Sequence, residues 1–288
     1  MKRQRSYQER LNSKNVVFWI VGIFFFLYSL TYIYTFSWAF ISSLKDKLEF
    51  MREPMAFPKK LHFENYLRAF ETLEVNQTSL IGLIFNSIWF AGGYTAINIF
   101  VTVCTAYCVA KYTFPGRDLI YSLALITMLF TFSGSLPAVY DLLGTLNLLD
   151  TPLYIITASS GLGFNFLLLY GFYKGVSWEY AEAAFVDGAN HYDVFFKIML
   201  PHALPMCAAL GIVGFIGLWN DYLTPLMFLQ GYPTMASGLY LFQYEPKIRA
   251  DYPLYYACIF IATLPVVIIY ASFQEMIMTN TVAGGLKG

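Results

Sequence analysis

The residues with most chemistry to offer in this 288-residue chain stand together between Glu179 and Pro201, in EYAEAAFVDGANHYDVFFKIMLP. Four carboxylates (Glu179, Glu182, Asp187 and Asp193) are interspersed with Ala181, Ala183, Ala184 and the isolated Gly188. Alanines let another backbone come close, and carboxylates pair with basic groups, so this is chemistry for gripping a partner rather than for turning over a substrate. A second set is Trp219, Asn220, Asp221 and Tyr222, inside another apolar run, with Asn86 and Asn98 in an earlier one. An ionisable group in such surroundings is a functional candidate by default. These residues either line a pathway for a polar solute or make structural hydrogen bonds, and Asp221 can also mark a helix break ahead of Pro225.

Other chemistries find little support. The chain has no HExxH pair, no nucleophile elbow and no paired carboxylates within its apolar runs. His62, His191 and His202 are scattered and read as surface or interface residues. Cys104, Cys108, Cys207 and Cys258 lie in apolar runs without CxxC spacing and read as small buried hydrophobes, so no metal or cofactor is expected in this chain. Eighteen basic and eighteen acidic residues cancel, which removes any global charge argument for nucleic acid.

The elements that must position these residues are set by composition: 58% hydrophobic, 19% aromatic and only 12% charged, against about 25% charged in a soluble domain. A helix needs ~20 apolar residues to cross a bilayer. Six stretches meet that need: Val16 to Ser43, Ile81 to Ala110, Leu119 to Tyr140, Thr151 to Tyr173, Ala203 to Leu229 and Leu254 to Gln274. The expected fold is an all-α membrane protein with six spans over residues 16–276, an N-terminal segment 1–15 and a tail 277–288. Lys2, Arg3, Arg5, Arg10 and Lys14 ahead of the first span place both termini in the cytoplasm, and the basic residues of the loop Leu44 to Leu80 are the counter-signal. In that loop Tyr66, Leu67, Phe70 and Leu73 have the spacing of a short amphipathic helix. Gly211, Gly214 and Gly217 suit close helix packing.

Between Lys174 and Pro201 the pattern predicts a helix-turn-helix elbow. Ser177 caps the first helix, with Glu179 and Glu182 in its opening turns and Ala181, Ala184 and Phe185 on one face. Gly188 ends it in a left-handed conformation, Asn190 caps the second helix with Asp193 three positions on, and Pro201 stops that helix.

Glu182-Ala183-Ala184, three residues, Gly188, nine residues and Ile198-Met199-Leu200-Pro201 resemble the EAA loop of permease subunits of ABC importers. FNSI (Phe85 to Ile88), AYCVAKYTFPGR (Ala106 to Arg117), WNDYLTPLMFL (Trp219 to Leu229) and the ending GGLKG are similar to the carbohydrate branch of that family, on the side of the maltose-type G subunit. The resemblance implies a type I permease fold and transport of a sugar or oligosaccharide. It also implies a second permease subunit, two ATPase subunits that bind ATP and Mg, an extracytoplasmic solute-binding protein and surrounding lipid. Glu179, Glu182, Ala183, Ala184, Asp187, Gly188, Ile198, Leu200 and Pro201 would couple to the ATPase, and Asn86, Trp219, Asn220, Asp221 and Tyr222 would border the substrate pathway. The absence of a GxxxxGK[ST] phosphate loop agrees with ATP hydrolysis on another polypeptide. A permease for a non-sugar solute, or an ion-coupled secondary transporter, is the alternative.

Overall fold

A computed structural model describes the backbone of residues 2–129, 135–245 and 251–283, and side chains within 17–128, 136–245 and 251–276. Along the chain run α1 (Lys2–Ser43), α2 (Lys47–Arg52), α3 (Glu64–Thr72), β1 (Glu74–Val75), β2 (Thr78–Ser79), α4 (Leu80–Lys111), α5 (Arg117–Leu129) and α6 (Ser135–Thr145). Then follow α7 (Tyr154–Thr157), α8 (Phe164–Gly175), α9 (Glu179–Val186), α10 (His191–Asp193), a π-helical stretch Val194–Met199, α11 (Leu200–Trp219), α12 (Leu223–Phe228), α13 (Met235–Phe242) and α14 (Tyr252–Ala283). Beta structure among the described residues is one antiparallel two-residue hairpin, turned by Asn76 and Gln77 at positive φ. Two compact units result: residues 1–69 with 245–260, and residues 70–244 with 261–288.

In the first unit α1 begins at Lys2, so the basic N-terminal segment continues the first helix rather than preceding it. Bulky apolar side chains from Val17 to Phe36 stand exposed around it, a surface that suits lipid and not water. Beyond its end, Asp46 Oδ2 caps α2 at Leu48 N (2.9 Å), and the buried Lys45 ammonium donates to the carbonyls of Glu53 and Pro54. Buried Asn65 donates to Ser43 O and Lys45 O, and Arg68 pairs with Asp251 at 2.9 Å. The helix expected around Tyr66 exists as α3, but it buries Asn65 and Ala69 and leaves Leu67 and Phe70 exposed. The polar Asn65 wins the inward face because it closes two loop carbonyls that an apolar side chain would leave unpaired.

The second unit is organised on α4. At one end Phe90 meets Leu143 of α6, Tyr154 of α7 and Phe228 of α12. At the other, Val103, Ala106, Tyr107 and Ala110 pack with Phe166, Leu169 and Tyr173 of α8, Ala181 of α9, Phe195 and Met199 of the π stretch, and Ala203 and Leu210 of α11. Gly211 and Gly214 face Thr95 at van der Waals distance, as close packing requires, whereas Gly217 faces no neighbouring atom.

Four helical segments among the described residues are long and apolar enough to cross a membrane: Val17–Ser43, Leu80–Lys111, His191–Trp219 and Tyr252–Met276. The fourth of the six expected stretches is not a single long helix, and the fifth is shorter than expected. The third is represented by α5 and α6 on either side of residues 130–134, which lie outside the described residues, as does the tail 284–288. The fourth breaks between α7 and α8, and the fifth ends as a continuous helix at Trp219 rather than at Leu229.

The break between α7 and α8 has a physical partner. Tyr94, Asn98 and Thr102 fall one turn apart on one face of α4. Tyr94 donates to Ala158 O (2.9 Å), Asn98 to Ser160 O (3.1 Å), and Thr102 lies 3.4 Å from the same oxygen. Non-helical backbone at membrane depth survives only where protein supplies its hydrogen bonds, and this stripe supplies them. Gly161 lets the segment come that near, since a Cβ there would lie 2.6 Å from Thr105 Oγ1 and 3.0 Å from Val101 Cγ1. Gly161→Ala is expected to lower the unfolding midpoint of the detergent-purified chain, and adding Thr105→Ala to restore part of it. Equal midpoints for wild type and Gly161→Ala would contradict the close approach.

Candidate functional site

α9 has two opposed faces. Ala181 is fully buried, and Ala184 and Phe185 are half-buried against the cluster that holds α4, α8 and α11, the inward face read from the sequence. Glu179, Glu182, Ala183 and Val186 occupy the outward stripe at positions one and two turns apart, all exposed, with Val186 88% accessible. Among the described residues neither Glu179 nor Glu182 has an ion-pair partner within the chain, and both lie in the first turn, where the helix dipole favours negative charge. Tyr180, 53% exposed, lies against His202 rather than on this stripe. The arrangement presents two carboxylates that have no ion-pair partner among the described residues, next to the exposed apolar Val186.

The ends of α9 are fixed locally. The N-cap of α9 is Trp178, one residue after the expected Ser177: Trp178 O takes the amides of Ala181 and Glu182, and Ser177 Oγ accepts from Glu179 N at 3.3 Å. Gly188, at φ +83°, closes the other end: its N–H reaches Phe185 O at 3.0 Å and the N–H of Ala189 reaches Ala184 O at 2.9 Å. This paired closure needs the left-handed residue, which glycine adopts without a Cβ clash. Asp187 sits exposed beside it. Asn190 Oδ1 then caps the next helix at Asp193 N (2.9 Å), and Asp193 pairs with Lys197 one turn on.

One expectation fails here. Pro201 does not stop the second limb, because the helix runs unbroken from His191 to Trp219. A proline inside an α-helix collides with the carbonyl four residues back and leaves it unpaired. The π-helical stretch immediately before Leu200 widens the ladder at that point, while His202 Nδ1 donates to Ile198 O (2.7 Å) and Tyr173 to Met199 O (3.4 Å). Ile198, Leu200 and Pro201 thus belong to the root of the long helix, apart from the exposed stripe formed by Glu179, Glu182 and Ala183.

The intramembrane candidates divide. Asn86 is taken up structurally, donating to Pro233 O (2.9 Å) and accepting from Trp89 Nε1 (3.2 Å). Trp219 is buried and donates to Ala262 O (3.0 Å). Asn220 is exposed at the end of α11 and returns an N–H to Ile216 O. Asp221 marks a helix break, as the sequence allowed, with one carboxylate oxygen accepting from Leu223 N and Thr224 N, both at 3.0 Å, to cap α12. Tyr222 is 43% exposed and stacks on Tyr240 at 4.8 Å. Asn220, Asp221 and Tyr222 therefore share one break, while Asn86 and Trp219 serve the packing around it.

Sequence reading missed the contacts on the inner side of the elbow. Tyr112, just beyond α4, shares a hydrogen bond with His191 Nδ1 at 2.9 Å, and Lys111 Nζ donates to Val176 O. Their partners lie 65 to 79 residues away, and no local pattern joins them.

A mostly helical chain with four membrane-length helices among its described residues is a multi-pass membrane protein. The family model described as binding-protein-dependent transport system inner membrane component matches residues 13–279, and the chain belongs to that family. It is 30% identical to the diacetylchitobiose uptake system permease protein NgcG of Streptomyces coelicolor over 265 residues, 91% of this chain and 86% of that protein. It is 27% identical to the probable starch degradation products transport system permease protein AmyC of Thermoanaerobacterium thermosulfurigenes, covering 90% of this chain and 93% of that one. A solved bacterial ABC transporter involved in the import of the acidic polysaccharide alginate has the same fold, with a TM-score of 0.77, 21% identity, and coverage of 91% of this chain and 97% of that one.

Gly188→Ala is expected to destabilise the elbow by about 1–2 kcal/mol, the cost of a Cβ in left-handed backbone. Limited proteolysis between α9 and α10 checks it: cleavage should accelerate in the variant, and an unchanged rate would mean that the turn does not depend on glycine.

Proposed function

We infer that the chain is the permease subunit of an ATP-driven, binding-protein-dependent importer for a sugar or oligosaccharide. Family membership across residues 13–279 carries the reading, and the relatives named for sugar uptake supply the substrate class. The chain is a transport component, and ATP with Mg is held by separate ATPase subunits. Alternating access then requires a two-state membrane domain whose balance is biased from both sides, by nucleotide through the ATPase and by a loaded binding protein. A second permease subunit completes the pathway, and both termini lie in the cytoplasm with the elbow.

The outward stripe of α9 is the proposed docking surface for the ATPase. Glu182 supplies a charge with no ion-pair partner among the described residues, Ala183 permits close backbone approach, and Val186 supplies apolar area at the centre. An unpaired charge on an apolar stripe is costly to cover unless the partner brings the complementary group, which gives the contact its specificity. Asn220, Asp221 and Tyr222, at the break after α11, border the solute pathway in this reading. Asp221 keeps its second carboxylate oxygen for a solute hydroxyl, and the Tyr222 ring can stack on a sugar face.

Glu182→Lys is expected to lower co-purification of the ATPase at least tenfold, because like charges then face each other across the contact, corresponding to about 1.4 kcal/mol or more. Normal co-purification together with normal sugar-stimulated ATPase activity would remove α9 as the docking element. Tyr222→Ala should raise the sugar concentration giving half-maximal uptake in proteoliposomes while leaving ATPase assembly intact. An unchanged uptake curve would place the pathway elsewhere.

A further inference from the structure

The elbow's inner side is fastened to α4 by directional contacts that its outward stripe does not require. The Tyr112 hydroxyl meets His191 Nδ1 at 2.9 Å and the Tyr107 hydroxyl at 3.2 Å. Phe185 of α9 stands edge-on to the imidazole with centroids 4.9 Å apart, and Tyr112 lies at 5.6 Å from it. Trp178, the residue before α9, closes the frame against Tyr112 (5.8 Å) and Phe185 (6.2 Å). The residue after α4 therefore touches the entrance to α9 and the first residue of α10, and Phe185 of α9 meets both of these in turn.

Close packing does not make this connection by itself. Beside the hydrogen bond lies a cavity of about 430 Å³, lined by Cys104 and Cys108 of α4, Tyr107, Tyr192 and Phe196. Deeper in, Tyr107 packs on Phe195 at 5.0 Å and α4 lies against α11, but at the cavity itself α10 has fewer dispersion contacts with α4, and a hydrogen bond with its narrow distance and angle limits adds direction to that packing. Apolar contacts such as those of Ala181 tolerate sliding, whereas a directional bond does not.

We propose that Tyr112 and His191 form a clasp, framed by Trp178 and Phe185, that makes α9 turn as one body with the adjoining end of α4. Both are positioning residues: neither touches solute or nucleotide. A displacement imposed on the exposed stripe then reaches α4, and through Tyr94, Asn98 and Thr102 the broken segment between α7 and α8. This rests on the reading of α9 as the ATPase contact.

The test uses the full complex in proteoliposomes, with the chain's Tyr112→Phe and His191→Phe variants, measuring sugar moved per ATP hydrolysed. Both variants should assemble, yet move about fivefold less sugar per ATP, the ratio that the loss of one hydrogen bond corresponds to. The double variant should match the singles, because they remove the same bond. His191→Gln, which keeps a hydrogen-bonding group, should recover much of the ratio. A spectroscopic reading separates this role from a merely structural one: nitroxides at Phe100→Cys and Tyr180→Cys, off the docking stripe and with the native cysteines replaced by alanine, should give a narrow distance distribution that broadens in Tyr112→Phe. Unchanged uptake per ATP and an unchanged distribution in a complex whose ATPase does bind α9 would overturn the clasp alone. An ATPase that binds without contacting α9 would overturn the clasp and the reading beneath it.

Discussion

Hydrocarbon offers a peptide group no partner, and the rest of this structure depends on how the protein meets that constraint. Where the chain stays helical the ladder meets it internally. Where it does not, side chains on neighbouring helices take over, and α4 carries most of that duty through Tyr94, Asn98 and Thr102. These residues explain why an apolar helix holds an asparagine and a buried threonine facing inward. The same logic governs Asp221, whose carboxylate closes the amides freed where α11 ends, and the widened turn that carries Pro201 inside a continuous helix. Polar residues in this membrane domain are first of all the means by which irregular backbone is tolerated, and the break holding Asn220, Asp221 and Tyr222 is one place that keeps polar groups to spare.

The elbow obeys the opposite rule. Outside the apolar runs, water satisfies exposed groups, so Glu179 and Glu182 need no internal partner and remain available to another protein. Its inner face is buried against the core at α4, its outer face is open, and Gly188 sets the angle between its limbs with both closing hydrogen bonds in place. A rigid element with one committed face and one vacant face is suited to carry motion between a soluble engine and membrane helices. Its second limb runs directly into the 29-residue helix from His191 to Trp219, so no flexible joint intervenes.

Much of this was legible in the sequence because it is local. Hydropathy places the long helices around α1, α4, α11 and α14, and capping chemistry places Gly188 and Asn190 at the ends of the elbow's helices and Ser177 one residue ahead of the first cap. The break between α7 and α8 escaped, since its cause lies on α4 some 60 residues earlier and an apolar run with two glycines does not announce which carbonyls will be rescued. Pro201 misled for a related reason: the rule that proline ends a helix assumes an α ladder, and the π-helical stretch before it changes that ladder. Asn86 and Trp219 read from the sequence as pathway candidates, and their hydrogen bonds to Pro233 and Ala262 are contacts that only the folded chain creates. His191 was unremarkable in sequence because Tyr112, its partner, lies 79 positions away.

The central claim is that the exposed stripe of α9 faces the cytoplasm and is covered there by an ATPase. Reaction of Glu179→Cys, which leaves Glu182 in place on the same stripe, with a membrane-impermeant thiol reagent, in a background lacking the four native cysteines, tests it most directly. In inside-out vesicles stripped of the ATPase the thiol should react rapidly, and adding the ATPase back should protect it. Rapid reaction in right-side-out vesicles, or reaction in inside-out vesicles that the ATPase leaves unchanged, would contradict the account.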